Sequence, residues 1–270
     1  MIIFKSINKL NKEVNFKAKV GFVPTMGSLH KGHISLIKSS RKKCQKTLVS
    51  IFVNPSQFNN KNDYKNYPRN LKKDINLLRK LKVDYLLIPK SEDIYKNKNK
   101  MKIKISKTDK IMCAIYRPGH FEGVLAVINQ FLIRLKPKYI FFGKKDYQQL
   151  YLVRKYIRKK FKTKVVPCST IRDKNMVALS SRNSFLNSED IKKSSILAKK
   201  IIKFKKKIIK NIMLRKNTKN IIFQLNKLKN IKIEYLEVRN EKNLSKKITN
   251  KNFKIFVAYY NKNVRIIDNF

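Results

Sequence analysis

Cysteine is scarce in this chain and poorly placed for covalent or metal work. The three cysteines, Cys44, Cys113 and Cys168, lie far apart, and none belongs to a Cys-x-x-Cys pair. Neither a disulfide framework nor a cysteine-based zinc site is expected. Long apolar runs are also missing. Nothing approaches the roughly 18–20 residues a membrane helix needs, so a spanning protein is ruled out. The segment Met1 to Lys12 is interrupted by lysines and lacks a continuous apolar stretch with a cleavage site. No signal peptide is expected, and the expected compartment is the cytoplasm. There is no Gly- or Ser-rich linker and no internal repeat. Acidic residues are few: 16 against 66 basic ones, for a formal net charge of +50.

That charge invites a nucleic-acid reading, because clustered Lys and Arg neutralise phosphates. Two features weigh against it. Lysine greatly outnumbers arginine, with Asn and Ile also abundant, which is the signature of A+T-rich codons. The lysines are also scattered along the whole chain rather than gathered in one block. The charge still favours encounter with anionic small molecules, promotes non-specific sticking to nucleic acid, and adds self-repulsion.

What is present is a core and a pattern. Apolar residues make up 42% of 270, enough to bury a core in one large domain or two modest ones. Strands are expected at Val20–Pro24, Thr47–Val53, Val83–Ile88, Tyr139–Phe142 and Lys164–Thr170. Between them lie helical patterns, from His33, through Leu71, Ile75, Leu78 and Leu81, through Val124 to Leu135, and through Leu150, Val153 and Ile157. Near-continuous apolar strands alternating with helices indicate a doubly wound parallel sheet covered on both faces.

After about Thr170 the character changes. Ser184 to Asp190 is a polar junction with helix-capping residues. A lysine-rich helix follows with a Leu197, Ile201, Phe204, Ile208 stripe, and short strands are expected at Ile233–Val238, Lys254–Tyr260 and Val264–Ile267. The reading is α/β: a Rossmann-like doubly wound domain over residues 1–170 and a smaller α+β C-terminal domain over 171–270. Lys61–Asn66 and Lys96–Lys102 are low-complexity stretches expected to be loops.

The chemistry-bearing segments begin where strands end, which is where open α/β sheets bind ligands. After Val23 comes a turn with Gly27, His30, Gly32 and His33. Glycines there let the backbone approach a ligand, and the helix that follows offers N–H groups and a positive dipole end to phosphate. Two imidazoles three residues apart suit a phosphoryl group on which charge builds. No third ligand makes them a zinc site. After Val53, Asn54-Pro55 is a turn signal, and Gln57 offers a donor and an acceptor to a small polar substrate. After Phe142, a lysine can neutralise phosphate, and Asp146 can bind a ribose hydroxyl or orient that lysine. Ser180, Ser181 and Arg182 make a plausible phosphate clamp. In Arg117 to Gly123, His120 is either a ligand contact or a loop anchor. The stripe near Leu197 suits either a membrane surface or the buried face of a domain helix.

Taken together, these segments resemble the pantothenate synthetase (pantoate–β-alanine ligase) family, within the wider nucleotidyltransferase group. The ordered matches are PTMGSLHKGH at 24–33, SIFVNPSQF at 50–58, YPRNL at 67–71, RPGHFEGV at 117–124, FFGKKDYQQL at 141–150 and ALSSRNSFL at 178–186. YLEVRN at 235–240 and RIIDN at 265–269 resemble the family's closing strands. The resemblance implies ATP-dependent joining of pantoate to β-alanine with magnesium, through a pantoyl adenylate, releasing pyrophosphate and AMP. It implies an ATP loop of Met26, Gly27, Ser28, Leu29, His30, Lys31, Gly32 and His33. His30 and His33 stabilise the α-phosphate transition state, and His33 stands where the family has its catalytic acid. Gln57 contacts pantoate and β-alanine, and Gln149 contacts pantoate. Gly143, Lys144, Lys145 and Asp146 bind ATP, with Lys145 on phosphate and active in the chemistry. Ile171, Leu179, Ser180, Ser181 and Arg182 close over the nucleotide. The smaller domain is implied to be a lid and the enzyme a cytoplasmic homodimer, with no specific nucleic-acid partner and no membrane. Three departures stand out: Lys144 replaces a usual Glu, Asn175-Met176 replaces a usual Asp-Gly, and Lys73-Asp74 replaces an acidic pair. Asp74 is the remaining candidate near magnesium.

Overall fold

The computed structural model describes residues 1–16, 18–95 and 103–270. The stretch Lys96–Lys102, expected to be a loop, lies outside the described residues. The chain divides into two compact units. One comprises Met1–Lys144 with Gln149–Ser169, the other Lys145–Gln148 with Thr170–Phe270. Assignment of Lys145–Gln148 to the smaller unit is not visible in sequence periodicity.

In chain order the first part of the molecule runs β1 (Ile2–Phe4), α1 (Ile7–Glu13), β2 (Val20–Thr25), α2 (Lys31–Lys43), β3 (Lys46–Ile51), α3 (Lys61–Lys65) and α4 (Leu71–Lys80). It continues with β4 (Tyr85–Leu87), α5 (Ser91–Ile94), α6 (Cys113–Tyr116), α7 (His120–Leu135), β5 (Tyr139–Gly143), α8 (Tyr147–Lys160) and β6 (Lys164–Cys168). The strands form one six-stranded sheet in the order β1-β4-β3-β2-β5-β6, and every pairing is parallel.

Side chains alternate across a strand, so a sheet covered on both faces needs apolar residues at nearly every position. Phe22, Leu48, Ile140 and Phe142 pack on one face with α1, α7 and α8, through Leu10, Val124, Phe131 and Val153. Their neighbours Val23, Val49 and Phe141 pack on the other face with α2 and α4, through Leu36, Ile37 and Leu78. Phe22 meets Phe131 edge to face, with ring centroids 5.2 Å apart. Each large side chain buried this way contributes about 1.5–3 kcal/mol.

The second unit holds α9 (Ser188–Lys210), α10 (Thr218–Asn226) and an antiparallel sheet of β7 (Ile231–Asn240), β8 (Phe253–Asn261) and β9 (Val264–Asn269), ordered 7-8-9. Asn187 and Asp190 cap the start of α9 reciprocally. The stripe Leu197, Ile201, Phe204 and Ile208 packs against Ile255, Val257 and Tyr259. That stripe is therefore the buried face of a domain helix and not a membrane-binding surface. No described helix is long and apolar enough to cross a membrane.

Several expectations need correction. Lys61–Asn66 is not a loop: Lys61–Lys65 forms a short helix, started by the Asn60 side chain accepting from the N–H of Asn62 at 2.7 Å. Helix α2 begins at Lys31, two residues before the expected start, because His30 caps it. β1 and α1 have no counterpart among the expected elements, since lysines break the apolar run that Ile2, Phe4, Ile7 and Leu10 would otherwise form. Phe4, Ile7 and Leu10 nonetheless join the core. α10 has no counterpart either. The strands β3 and β4 are shorter than expected, and β7 and β9 longer.

Candidate active site

β2 neighbours β3 on one side and β5 on the other. The chain leaves β2 through α2 to reach β3, and reaches β5 only later. The carboxyl ends of β2 and β5 therefore flank the point where strand order reverses, the usual ligand crevice of an open α/β sheet. The segment from Met26 and the Gly143–Lys144 pair begin there.

The turn after β2 is held from below. Thr25 Oγ1 donates to the Ser50 carbonyl at 2.8 Å and accepts the Gly27 N–H at 3.2 Å. The Asp74 carboxylate, reached from α4, accepts the N–H of Ser28 on Oδ2 and of Leu29 on Oδ1, both at 2.8 Å. Asp74 is only 2% exposed. Burial raises its pKa, and the two N–H donors and Lys73 pull partly the other way. Gly27 has φ +78°, a conformation that a side chain rarely adopts.

The two histidines cap α2. His30 Nδ1 accepts the Gly32 N–H at 3.1 Å, and His33 Nδ1 accepts the His30 N–H at 3.4 Å. A backbone amide can only donate, so both Nδ1 atoms are acceptors. The proton of each neutral ring therefore sits on Nε2. A Cβ on Gly32 would lie 2.6 Å from the His30 ring, so glycine here is what lets the imidazole fold back over the helix start. The result is a pair of Nε2–H donors at the positive end of a helix dipole, an arrangement suited to an anionic phosphoryl group.

Gln57 ends a short turn, Pro55–Gln57, after β3. The buried Asn54 organises it. Its Oδ1 accepts from the Ser56 N–H and hydroxyl and from the Tyr95 hydroxyl, and its Nδ2 donates to the Gly123 carbonyl at 3.2 Å. The Gln57 carbonyl accepts from His120 Nδ1 at 2.7 Å and from Arg117 Nη2 at 3.1 Å. With Nδ1 donating, a neutral His120 has Nε2 as acceptor, and Arg117 Nη1 lies 3.1 Å from it. His120 thus anchors the loop. Among the described residues, the side-chain amides of Gln57 and Gln149 make no protein hydrogen bond. Their donors and acceptors stay available to a ligand.

In the smaller unit, Lys145 Nζ pairs with Asp146 Oδ1 at 3.1 Å. The Ile171 carbonyl accepts the Leu179 N–H at 3.0 Å. The turn between them is built on Asp173, whose Oδ1 accepts the N–H groups of Asn175 and Val177 at 2.8 and 2.9 Å. Met176 takes φ +67°, the left-handed region where glycine is at ease. Ser180 Oγ accepts the Arg182 N–H at 3.3 Å and starts the Ser181–Phe185 turn.

A family profile described as Pantoate-beta-alanine ligase matches residues 2–270. This chain belongs to the pantoate–β-alanine ligase family. It is 42% identical to the pantothenate synthetase of Francisella philomiragia over 277 residues, covering 100% of this chain and 97% of the relative. It is 37% identical to that of Pseudothermotoga lettingae over 281 residues, covering 100% and 98%. Among solved structures, the pantothenate synthetase of Thermus thermophilus superposes with a TM-score of 0.90 at 30% identity, covering 100% of this chain and 99% of that one. The pantoate-beta-alanine ligase of Francisella tularensis, complexed with beta-gamma ATP and beta-alanine, superposes at 0.84 with 36% identity, covering 100% and 97%.

Within this ligase-family chain, the larger unit contains Met26–His33, Gln57, Asp74, Gly143, Lys144 and Gln149. The smaller unit contains Lys145, Asp146, Ile171 and Leu179–Arg182. Lys144 is exposed. Asp74 uses both carboxylate oxygens on the loop amides, a scaffolding task. Among the described residues no three His, Cys, Asp or Glu side chains gather where they could hold a metal ion. Residues not singled out from sequence include Thr25, Tyr95, Arg172 and Asn269. Each acts by a hydrogen bond to a distant segment, which leaves no local pattern.

Proposed function

We propose that this chain joins pantoate to β-alanine at the expense of ATP. In the first step a pantoate carboxylate oxygen bonds to the α-phosphorus of ATP, and the bond to pyrophosphate breaks. In the second, the β-alanine amine bonds to the acyl carbon, AMP leaves, and the amine loses a proton. The observation that best supports this reading is the reciprocal cap of His30 and His33. It orients two Nε2–H donors at a helix N-terminus, where they can meet charge growing on phosphoryl oxygens. His33 is then the hydrogen-bond donor to the α-phosphoryl group in the first step, standing where the family has its catalytic acid, with His30 beside it.

The loop Met26 to His33 holds the nucleotide, its shape fixed by the amides that Thr25, Asp74, His30 and His33 accept. Gly143, Lys144 and Asp146 contact the nucleotide, and Lys145 supplies a cation to its phosphates. Gln57 and Gln149 orient pantoate, and Gln57 also orients β-alanine, raising the effective concentration of carboxylate and amine. Ile171 and Leu179–Arg182 cover the nucleotide, which gives the smaller unit the part of a lid. Magnesium, on this reading, arrives with the ATP phosphates, as is usual for that ion. The same reading makes the enzyme a cytoplasmic homodimer. Light scattering checks the assembly, and a monomer mass would remove the dimer.

The test is AMP and pyrophosphate release from ATP with magnesium, adding pantoate and β-alanine singly and together. The expected result is pyrophosphate release that needs pantoate, and AMP release that needs both. Pyrophosphate without amine-dependent AMP would point to a nucleotidyltransferase that does not ligate. No turnover in any combination would sink the proposal.

A further inference from the structure

The closing motif Arg265–Asn269 takes no part in the chemistry above, yet its last two residues are buried and polar. Within the smaller unit, Arg172 grips Asp268 with both arms of its guanidinium, Nη1 to Oδ2 at 2.7 Å and Nη2 to Oδ1 at 2.9 Å. The same guanidinium donates to the Met176 carbonyl at 2.8 Å and the Asn269 carbonyl at 2.9 Å, and it lies 4.6 Å from the centre of the Phe270 ring. Asn269 is in turn fixed by its own N–H, which donates to Asp268 Oδ1 at 2.7 Å. Its side-chain Nδ2 then donates to the carbonyl of Lys145 at 2.8 Å, across 124 positions of sequence.

One guanidinium thus sets two things at once. On one side it holds the Met176 turn that leads into Leu179–Arg182. On the other, through Asp268 and Asn269, it holds the main chain of Lys145. A lysine ammonium sits on a flexible four-carbon stem, so its reach to a phosphate depends on where its own backbone is fixed. The segments of the smaller unit that carry Lys145 and Leu179–Arg182 share a single fixed point.

We infer that Asn269, backed by Asp268 and Arg172, is a positioning residue for ATP, acting through Lys145. This rests on the reading that Lys145 contacts the ATP phosphates. A bidentate Arg–carboxylate pair is a stiff support. The Asn269 amide carries that support to Lys145, so losing it frees the lysine without emptying the core.

The experiment is a double-mutant cycle on the full chain, read as KM for ATP in pantoate-dependent pyrophosphate release, with melting temperature followed in parallel. Asn269→Ala is expected to raise KM for ATP about fivefold to tenfold, the size of one neutral hydrogen bond. KM for pantoate and β-alanine should stay within about twofold. Lys145→Ala should also raise KM for ATP, and adding Asn269→Ala to it should change little further, because the two act in series. Asn269→Leu, which keeps bulk and loses the donor, should match Asn269→Ala. Fully multiplicative effects of the two substitutions would overturn the inference, as would a rise in all three KM values together. If Lys145→Ala left KM for ATP unchanged, the ATP role of Lys145 would fall, and the inference with it. A clear defect in Lys145→Ala beside a silent Asn269→Ala would overturn the role of Asn269 and leave that of Lys145 standing.

Discussion

The imidazoles of His30 and His33 stand 4.2 Å apart, centroid to centroid, and each turns its Nδ1 onto an amide at the start of one helix. The two bonds are unequal, 3.1 Å for His30 and 3.4 Å for His33, so the residues separate by experiment. His30→Ala is expected to cost about 1 kcal/mol of stability through the lost cap, or a melting shift of about 2–4 °C. His33→Ala should cost less stability yet slow pyrophosphate release by about a hundredfold to a thousandfold, the usual loss for a transition-state donor. Calorimetry beside single-turnover pyrophosphate release checks both; a His33→Ala variant with normal turnover would remove the imidazole from the chemistry.

Asp74 gives a pH prediction. Burial raises its pKa, and the two N–H groups it accepts need the charged form. As pH falls through the raised pKa, protonation removes an acceptor and loosens Ser28 and Leu29. The kcat/KM for ATP should therefore fall on the acid side at a higher pH than an ordinary aspartate would set. Stability runs the opposite way. A raised folded pKa gives a contribution that is full below the unfolded pKa and lost as pH rises through the folded one. Asp74→Asn should flatten this acid limb and raise KM for ATP about tenfold, since one amide loses its acceptor. An unchanged acid limb in that variant would assign the limb to another group.

Met176 is a strained position with a simple remedy. A side chain in the left-handed region costs about 1–2 kcal/mol, and glycine there gives back about 0.4–1 kcal/mol through the unfolded chain. Met176→Gly is therefore expected to stabilise by about 0.5–1 kcal/mol, seen as a higher urea midpoint at constant slope. A lower midpoint would show that Met176 packing outweighs its strain.

His120 and Arg117 hold the Gln57 carbonyl. His120→Ala should raise KM for pantoate and β-alanine about fivefold to tenfold while leaving KM for ATP near normal. His120→Asn, whose side-chain amide can replace the Nδ1–H donor, should recover part of the loss. Equal defects in the two variants would mean that the ring's bulk matters and its donor does not.

Much of this molecule is legible in the sequence, but only where the signal is local. Phe22-Val23 and Leu48-Val49 announce a sheet buried on both faces because neighbouring residues point to opposite cores. His30 and His33 stand out as two of three histidines, in one glycine-flanked turn. The contacts of Asp74 are hidden, because nothing in YPRNL or the residues after it says that its two oxygens meet amides 45 and 46 positions away. Asn269 reads as the end of a strand; its side chain reaches Lys145 only once the small sheet has formed. α1 is hidden because its two core residues, Ile7 and Leu10, are separated by exposed Asn8 and Lys9 and followed by polar residues.

The hydrogen bonds that hold the candidate residues span long stretches of chain: 46 positions from Ser28 to Asp74, 63 from Gln57 to His120, and 124 from Lys145 to Asn269. Contacts this distant form slowly, after the local elements exist, and a growing chain emerges amino end first. During synthesis the histidine turn emerges before α4 supplies its carboxylate, and Lys145 emerges before β9 supplies Asn269. A chain that stops short of β9 lacks the Asn269 amide on Lys145, so its lysine segment has no such anchor even where the parallel sheet is whole.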